Sequence, residues 1–119
     1  MLPNFVKGST TGTGAAITIS LGFQPDFVKI WNPNDAGSLW PTLEWTSGMA
    51  ADSGFKTLKV VDNGATGNAT TTKITTGGIT TFAGTAGSAA AGFTIGTDAD
   101  INANGEVIYY IAMRNGPGV

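Results

Sequence analysis

The chain has 119 residues, a formal net charge of −2 at pH 7 and only 12% charged residues, while Gly and Thr together occupy 36 positions. It contains no Cys and no His, which excludes disulfides, thiolate nucleophiles and the commonest general base and transition-metal ligand. The length suits one domain, predicted to span residues 1–119. The negative charge disfavours nucleic acid as a partner, because nucleic-acid binding needs a basic surface.

Neither a targeting signal nor a membrane segment is predicted. The first residues lack a basic region followed by an apolar stretch, as a secretory signal requires. The chain also has no run of about 18 apolar residues, the length that crosses a bilayer as a helix. We therefore expect no membrane partner.

The predicted elements are all β-strands, since Gly and Thr are poor helix formers and no segment has helical periodicity. Short alternating or apolar runs predict strands, in chain order, at residues 15–21, 27–31, 55–61, 78–82, 92–96 and 106–114. The last run is nearly continuous in apolar residues. That pattern predicts a central strand covered on both faces.

Three further segments complete the prediction. Residues 38–45 are an edge strand or a loop, because Pro41 cannot donate to a central ladder. Residues 66–76 are Thr-rich, which favours a strand, yet only Ile74 would be buried. Residues 1–14 are expected to be an extended N-terminal arm, free to reach a neighbour. About seven to nine strands punctuated by turn residues are typical of an all-β sandwich, jelly roll or small barrel; we predict a single β-sandwich, jelly-roll-like domain.

An acidic loop near the end of the chain resembles half of a calcium site. From Asp100 the sequence reads D-x-N-x-N-G, in which alternate oxygens converge on a hard cation. The position that should supply a bidentate Glu holds Ile111. We therefore predict no metal and no cofactor, and a turn before the last strand. Calcium binding through Asp98, Asp100, Asn102 and Asn104 is the weaker alternative.

The inventory of reactive groups predicts that the chain is not an enzyme. Two of its eight carboxylates could in principle pair as in a glycosidase, but no other group supports acid–base catalysis. The abundant Ser and Thr hydroxyls have no base to activate them. Residues 8–14 are Gly-rich but lack the ending of a phosphate-binding loop.

Trp31, Trp40 and Trp45 lie within 15 residues of one another, with Asp35 and Glu44 nearby. Exposed Trp beside carboxylates is a pattern used by sugar-binding surfaces. Trp is equally enriched in protein–protein contacts, and Trp31 belongs to an alternating strand that would bury it. A core or contact role is therefore favoured over sugar binding.

Three segments resemble parts of small virion proteins of tailed bacteriophages. They are GFQPDFVKI at residues 22–30, GFTIGTDADIN at 92–102 and GEVIYYIAMR at 105–114. The resemblance covers about a quarter to a third of the chain. The first segment forms one motif and the other two together form a second, closing motif, and neither motif is catalytic. It implies a structural β-sandwich displayed on a phage particle, decorating the capsid or belonging to a tail appendage.

On this resemblance the expected function is that of a capsid decoration (cement) protein. The virion protein would form a homotrimer on the outer capsid surface, bind the major capsid protein and stabilise the shell by bridging neighbouring capsid subunits. Position and residue type predict the partner contacts to be Leu2, Pro3, Asn4 and Phe5 of the arm and Trp40, Pro41, Leu43 and Trp45 of the following segment. The alternative is a tail-associated receptor- or glycan-binding β-module, which would use Trp40 and Trp45 with Asp35 or Glu44 as a sugar platform.

Overall fold

The computed structural model describes residues 4–62, 66–87 and 90–115. These residues form eight β-strands and no helix, and none of them belongs to a helix that could cross a membrane. The strands are β1 Phe5–Thr11, β2 Ile17–Ser20, β3 Phe27–Trp31, β4 Thr42–Thr46, β5 Ser53–Asp62, β6 Thr66–Phe82, β7 Gly92–Ile95 and β8 Val107–Met113. The prediction of an all-β chain is confirmed.

All eight strands belong to one antiparallel sheet in the order β1-β8-β3-β4-β5-β6-β7-β2. The sheet curls into a half-barrel. A sandwich or jelly roll, in which two sheets pack face to face, is not confirmed. The curl brings strands near opposite ends of the sheet together, since the rings of Phe93 in β7 and Tyr110 in β8 meet edge to face with centroids 5.5 Å apart.

The core lies on the concave side of the curled sheet, which we call the inner face. Alternate residues of each strand point there, as the two-residue period of a strand requires. Ile101, from the loop between β7 and β8, closes this side and is fully buried. The core cluster comprises Val28, Ile30, Leu43, Trp45, Ile79, Phe93, Ile95, Ile101, Ile108 and Ala112.

The predicted strand at 27–31 coincides with β3, but the segment around Pro41 behaves differently from the edge strand or loop expected. β4 starts one residue after Pro41 and lies between β3 and β5 in the sheet. Pro41 therefore removes no hydrogen bond from the ladder. Its carbonyl accepts a hydrogen bond from the N–H of Asn32 at 2.9 Å, which closes the β3–β4 connection.

The Thr-rich segment and the strand predicted at 78–82 are one strand, β6, of 17 residues. Its first part pairs with β5 and its last four residues pair with β7. The register shifts where Ser53 opposes Ile79 while Gly54 opposes Ile74. Gly77, with φ +79°, occupies this irregularity, so the strand bends there and continues into the next ladder.

The segment expected to be a free arm is mostly part of the sheet. Residues 5–11 form β1, which pairs over its whole length with β8. The expectation of a free arm is wrong for these residues, because their backbone groups gain a ladder that a free arm would leave to water. Residues 1–3 lie outside the described ranges.

Candidate functional site

The convex side of the sheet, which we call the outer face, carries large apolar side chains on three neighbouring strands. Directly opposite residues of antiparallel strands share a face, so the registers define rows across β1, β8 and β3. Phe5 lies opposite Met113, which lies opposite Phe27. Ser9, Tyr109 and Trp31 form a parallel row. We call the apolar members of these and the adjacent rows the outer patch: Phe5, Phe27, Trp31, Val107, Tyr109, Ile111 and Met113.

The outer patch is not covered by any described part of the chain. Phe5 is 50% exposed, Tyr109 46% and Val107 37%, and the other four members are half-buried. Single exposed apolar residues are ordinary, but contiguous ones mark surfaces that meet a partner or ligand. The sequence predicted that the strand at 106–114 would be covered on both faces, yet the described chain covers only its inner face.

A groove of about 390 Å³ runs across the outer patch. Trp31, Tyr109 and Ile111 supply its apolar surface, and Lys7 and Ser9 supply polar groups at the β1 side. An aromatic surface with polar groups at one rim can hold a flat ligand or an apolar side chain of a partner protein.

On the inner face, beneath the strands that carry the groove, Gly8 of β1 lies opposite Tyr110 of β8. A Cβ at Gly8 would lie 2.5 Å from the hydroxyl oxygen of Tyr110, so only glycine lets the ring lie there. Burial raises the pKa of the Tyr110 hydroxyl above its ordinary value of 10.0. The ring therefore helps to hold β1 against the core beneath the groove.

One ion pair flanks the patch at β3 and β4. Nζ of Lys29 lies 3.0 Å from Oε1 of Glu44 and 5.4 Å from the centre of the Trp31 ring. The ammonium group thus bounds the aromatic surface and contacts its π-face. Beyond it, β4 and the adjoining part of β5 carry mainly polar residues on this face, so the patch ends there.

The structure separates the four predicted contact residues around Pro41. Trp40 is 52% exposed, and Nζ of Lys59 lies 4.4 Å from its ring centre. Pro41, Leu43 and Trp45 are buried. The prediction that these three contact a partner is wrong, because they face the inner side and pack within the molecule.

The predicted contacts of the N-terminal segment divide in the same way. Leu2 and Pro3 lie outside the described residues. The side-chain oxygen of Asn4 accepts a hydrogen bond from Nε of Arg114 at 3.2 Å, and its carbonyl accepts one from the Arg114 N–H at 3.0 Å. Phe5 belongs to the outer patch. Phe5 and Trp40 are therefore the predicted apolar contacts that the described surface presents.

The proposed sugar platform is not assembled. Trp45 is buried, and its indole N–H donates to the carbonyl of Ala50 at 3.2 Å. The carboxylate of Asp35 accepts a hydrogen bond from the N–H of Leu39 at 2.8 Å. Glu44 is paired with Lys29. The alternative built on Trp40 and Trp45 is therefore wrong in its residues.

In the loop that resembles half of a calcium site, two carboxylates form ion pairs with a lysine. Nζ of Lys56 lies 2.8 Å from Oδ2 of both Asp98 and Asp100. Oδ1 of Asp98 accepts hydrogen bonds from the N–H groups of Asp100 and Ile101. Burial lowers the pKa of Lys56, but the hydrogen bonds and charges of the two carboxylates outweigh it and leave the pKa above its ordinary value of 10.5.

The third motif residue, Asn102, is also committed to the fold. It is fully buried, and its amide bonds the backbone of Ala15 and Gly96 as well as Thr13 and Gly14. Within the described ranges, no three Asp or Glu side chains are grouped to hold a metal ion. Asp98, Asp100 and Asn102 are thus engaged with other groups of the fold, whereas Asn104 is exposed.

Sequence reasoning missed Tyr109, Val107 and Ile111 as surface residues. The sequence of their strand predicts burial on both sides, because its two alternating sets are both apolar. In comparisons with protein-family models, with curated proteins and with solved structures, nothing matches the chain.

Proposed function

We propose that the chain is a capsid decoration protein of a tailed phage, which binds the major capsid protein on the outer capsid surface and stabilises the shell by bridging its subunits. The observation that supports this proposal is the uncovered outer patch on β1, β8 and β3. The resemblance of residues 22–30, 92–102 and 105–114 to small virion proteins supplies the kind of partner.

The patch supplies the energy for docking. Fully burying a large apolar side chain contributes about 1.5–3 kcal/mol, so covering the part of Phe5, Tyr109 or Val107 that is exposed contributes about 1 kcal/mol for each side chain. Such a surface binds weakly alone. Repeated over a lattice, many weak contacts stabilise the assembled shell by mass action, because the decoration binds only that state.

Copy number in purified particles tests the proposal first. The chain is quantified against the major capsid protein by mass spectrometry. A copy number close to that of the major capsid protein agrees with decoration of the capsid, whereas a few copies per particle indicate a position in the tail. Its absence from particles contradicts both positions.

The contact surface is tested by a matched pair of variants. Tyr109→Ser combined with Val107→Ser should lose binding to particles that lack the chain, measured by co-sedimentation. Phe55→Ser is the control: Phe55 is 45% exposed on the same face, but it lies on β5 between Glu44 and Lys73, outside the outer patch. Equal binding by both variants would show that the patch is not the contact.

A glycan-binding function is the second candidate, and the groove at Trp31 and Tyr109 favours it. Two aromatic rings beside Lys7 and Ser9 offer a surface on which a sugar ring can stack and hydrogen-bond. Intrinsic Trp fluorescence is titrated with bacterial surface polysaccharide. A saturable shift that Tyr109→Ala weakens supports the glycan module, and a flat response removes it.

A further inference from the structure

One edge of strand β6 is without a partner over much of its length within the part of the chain that the structure describes. β6 pairs with β5 from Thr66 to Ile74, but with β7 only from Ile79 to Phe82. On the side away from β5, residues 66–76 meet no strand in the described ranges, and no backbone hydrogen bond leads from them to another described segment. We call residues 66–76 the open edge.

One hydrogen bond identifies which backbone groups point outward from the open edge. The N–H of Lys59 in β5 donates to the carbonyl of Leu39 at 2.8 Å, away from β6. Lys59 is opposite Ala69, so this pair is not hydrogen-bonded across the ladder and Ala69 also points its N–H and C=O away from β5. By alternation the same holds for Thr71 and Lys73.

The open edge has few of the features that prevent strand addition. Residues 69–76 read Ala-Thr-Thr-Thr-Lys-Ile-Thr-Thr, which combines β-branched residues with one charge and no Pro. All except Ile74 are exposed. Edge strands are normally protected by several charges, by Pro or by a covering segment. This edge has a single Lys, so its outward N–H and C=O groups are available to another strand.

We propose that the open edge pairs antiparallel with the open edge of a second copy, around a two-fold axis at Thr71. Residue 71 is the midpoint of 66–76, so this register uses the whole edge. It places Ala69 opposite Lys73, so that outward-pointing residues face outward-pointing residues. Thr71 faces Thr71, a type of pair that the fold itself uses between Thr57 and Thr71, with hydroxyl oxygens 2.9 Å apart.

Charge agrees with this register. The two Lys73 side chains would be four residues apart along the ladder, about 13 Å at the rise of a strand, which exceeds the Debye length of about 8 Å at physiological salt.

The pairing also fixes how the two copies are presented. Opposite residues in an antiparallel ladder share a face, so the outer face of one copy continues into the outer face of the other across the pairing. The assembly is two-fold, whereas the resemblance to virion proteins implies a homotrimer. The dimer itself does not depend on the proposed function.

Sedimentation equilibrium of the full chain across a wide range of concentrations tests the proposal. The mass of 12.1 kDa per copy should double reversibly as concentration rises. Thr71→Pro removes one outward N–H without touching the β5–β6 bonds, and should leave a folded monomer. Thr71→Ser keeps the N–H and should remain a dimer. A monomer at all concentrations, a trimer, or a dimer that survives Thr71→Pro overturns the proposal.

A cross-link tests the register even if the proline variant unfolds. The chain has no Cys, so Thr71→Cys introduces one thiol. A hydrogen-bonded pair has its Cα atoms about 5.5 Å apart, within the range of a disulfide. Mild oxidation should give a covalent dimer of Thr71→Cys and little of Thr75→Cys, which carries an exposed thiol in the same strand. Equal cross-linking of the two contradicts the two-fold at residue 71.

Discussion

Replacing Asn102 by Ala should destabilise the fold strongly, although the residue lies in a loop. Its Nδ2 donates to the carbonyls of Ala15 at 2.7 Å and Gly96 at 2.9 Å. Its Oδ1 accepts from the N–H groups of Thr13 at 2.9 Å and Gly14 at 3.3 Å. The side chain thus joins the loop before β8 to the loop before β2 and to the end of β7.

The expected loss follows from these bonds. Each contributes about 1 kcal/mol net, and the longest contributes least. Ala15, Thr13 and Gly14 are exposed, so water can replace the amide there, but Gly96 is buried and its carbonyl would lose a partner. We expect a loss of about 3 kcal/mol. At about 4 °C per kcal/mol for a domain of this size, the thermal midpoint should fall by about 12 °C.

Urea and thermal unfolding followed by circular dichroism measure this loss. Asn104→Ala is the control, because Asn104 is exposed in the same loop and its side chain makes no hydrogen bond to the described residues. It should stay within about 0.5 kcal/mol of the unmodified chain. An equally small effect of Asn102→Ala would refute the reasoning.

A second substitution at the same residue distinguishes a structural turn from a calcium site. Asn102→Asp would place a carboxylate against two carbonyl oxygens and should destabilise the chain at least as much as Asn102→Ala. A calcium loop predicts the opposite, because an added carboxylate strengthens binding of the ion. A thermal midpoint that calcium raises, and raises further in Asn102→Asp, would show that the loop binds metal.

Three further predictions concern the core and the titrating groups. The pKa values of Tyr110 and Lys56 are raised in the folded chain above their ordinary values of 10.0 and 10.5, so the folded chain holds these protons more tightly than the unfolded chain. The free energy of unfolding should therefore keep this contribution below those ordinary pKa values and lose it as the pH rises above them. Urea midpoints at about pH 9 and about pH 11 measure this fall, and Lys56→Met should reduce its slope. Leu43→Ala should lower the free energy of unfolding by about 3 kcal/mol in urea, because its side chain is fully buried and is not a surface contact. A loss below about 1 kcal/mol would indicate that Leu43 is a surface residue. Gly96→Ala should destabilise by about 2 kcal/mol or more in the same assay, because its Cβ would lie 2.5 Å from a backbone carbon of β6. Gly48→Ala, where nothing lies within 4 Å of the added carbon, should be nearly neutral.

Local pattern was a good guide where one face of a strand is buried. The run at 27–31 became β3 without a shift, because its alternation of large apolar residues matches the pleat. The same pattern failed at residues 5–11. Burial alternates along β1, but Gly8 and Thr10 on its inner face are not large apolar residues, so the sequence shows no apolar alternation and the strand depends on its ladder with β8.

Candidate site residues were harder to predict, because exposure depends on the neighbours that the fold supplies. Trp40 and Trp45 look alike in sequence, yet one is on the surface and the other in the core. Asp98 and Asp100 resemble metal ligands, but Lys56 comes from a strand more than 40 positions earlier in the chain. No local pattern contains that pairing.

The sequence by itself determined the secondary-structure class of the chain and excluded thiol and imidazole chemistry, because it contains no Cys and no His. Both follow from composition and short-range alternation, which depend on each residue and its near neighbours. The tertiary structure decided the single curled sheet, the uncovered outer patch and the open edge of β6. These depend on which strand lies beside which, and on where the ladder between β6 and β7 begins. Such pairings join residues that are distant in sequence, and they are set by closure of the whole core.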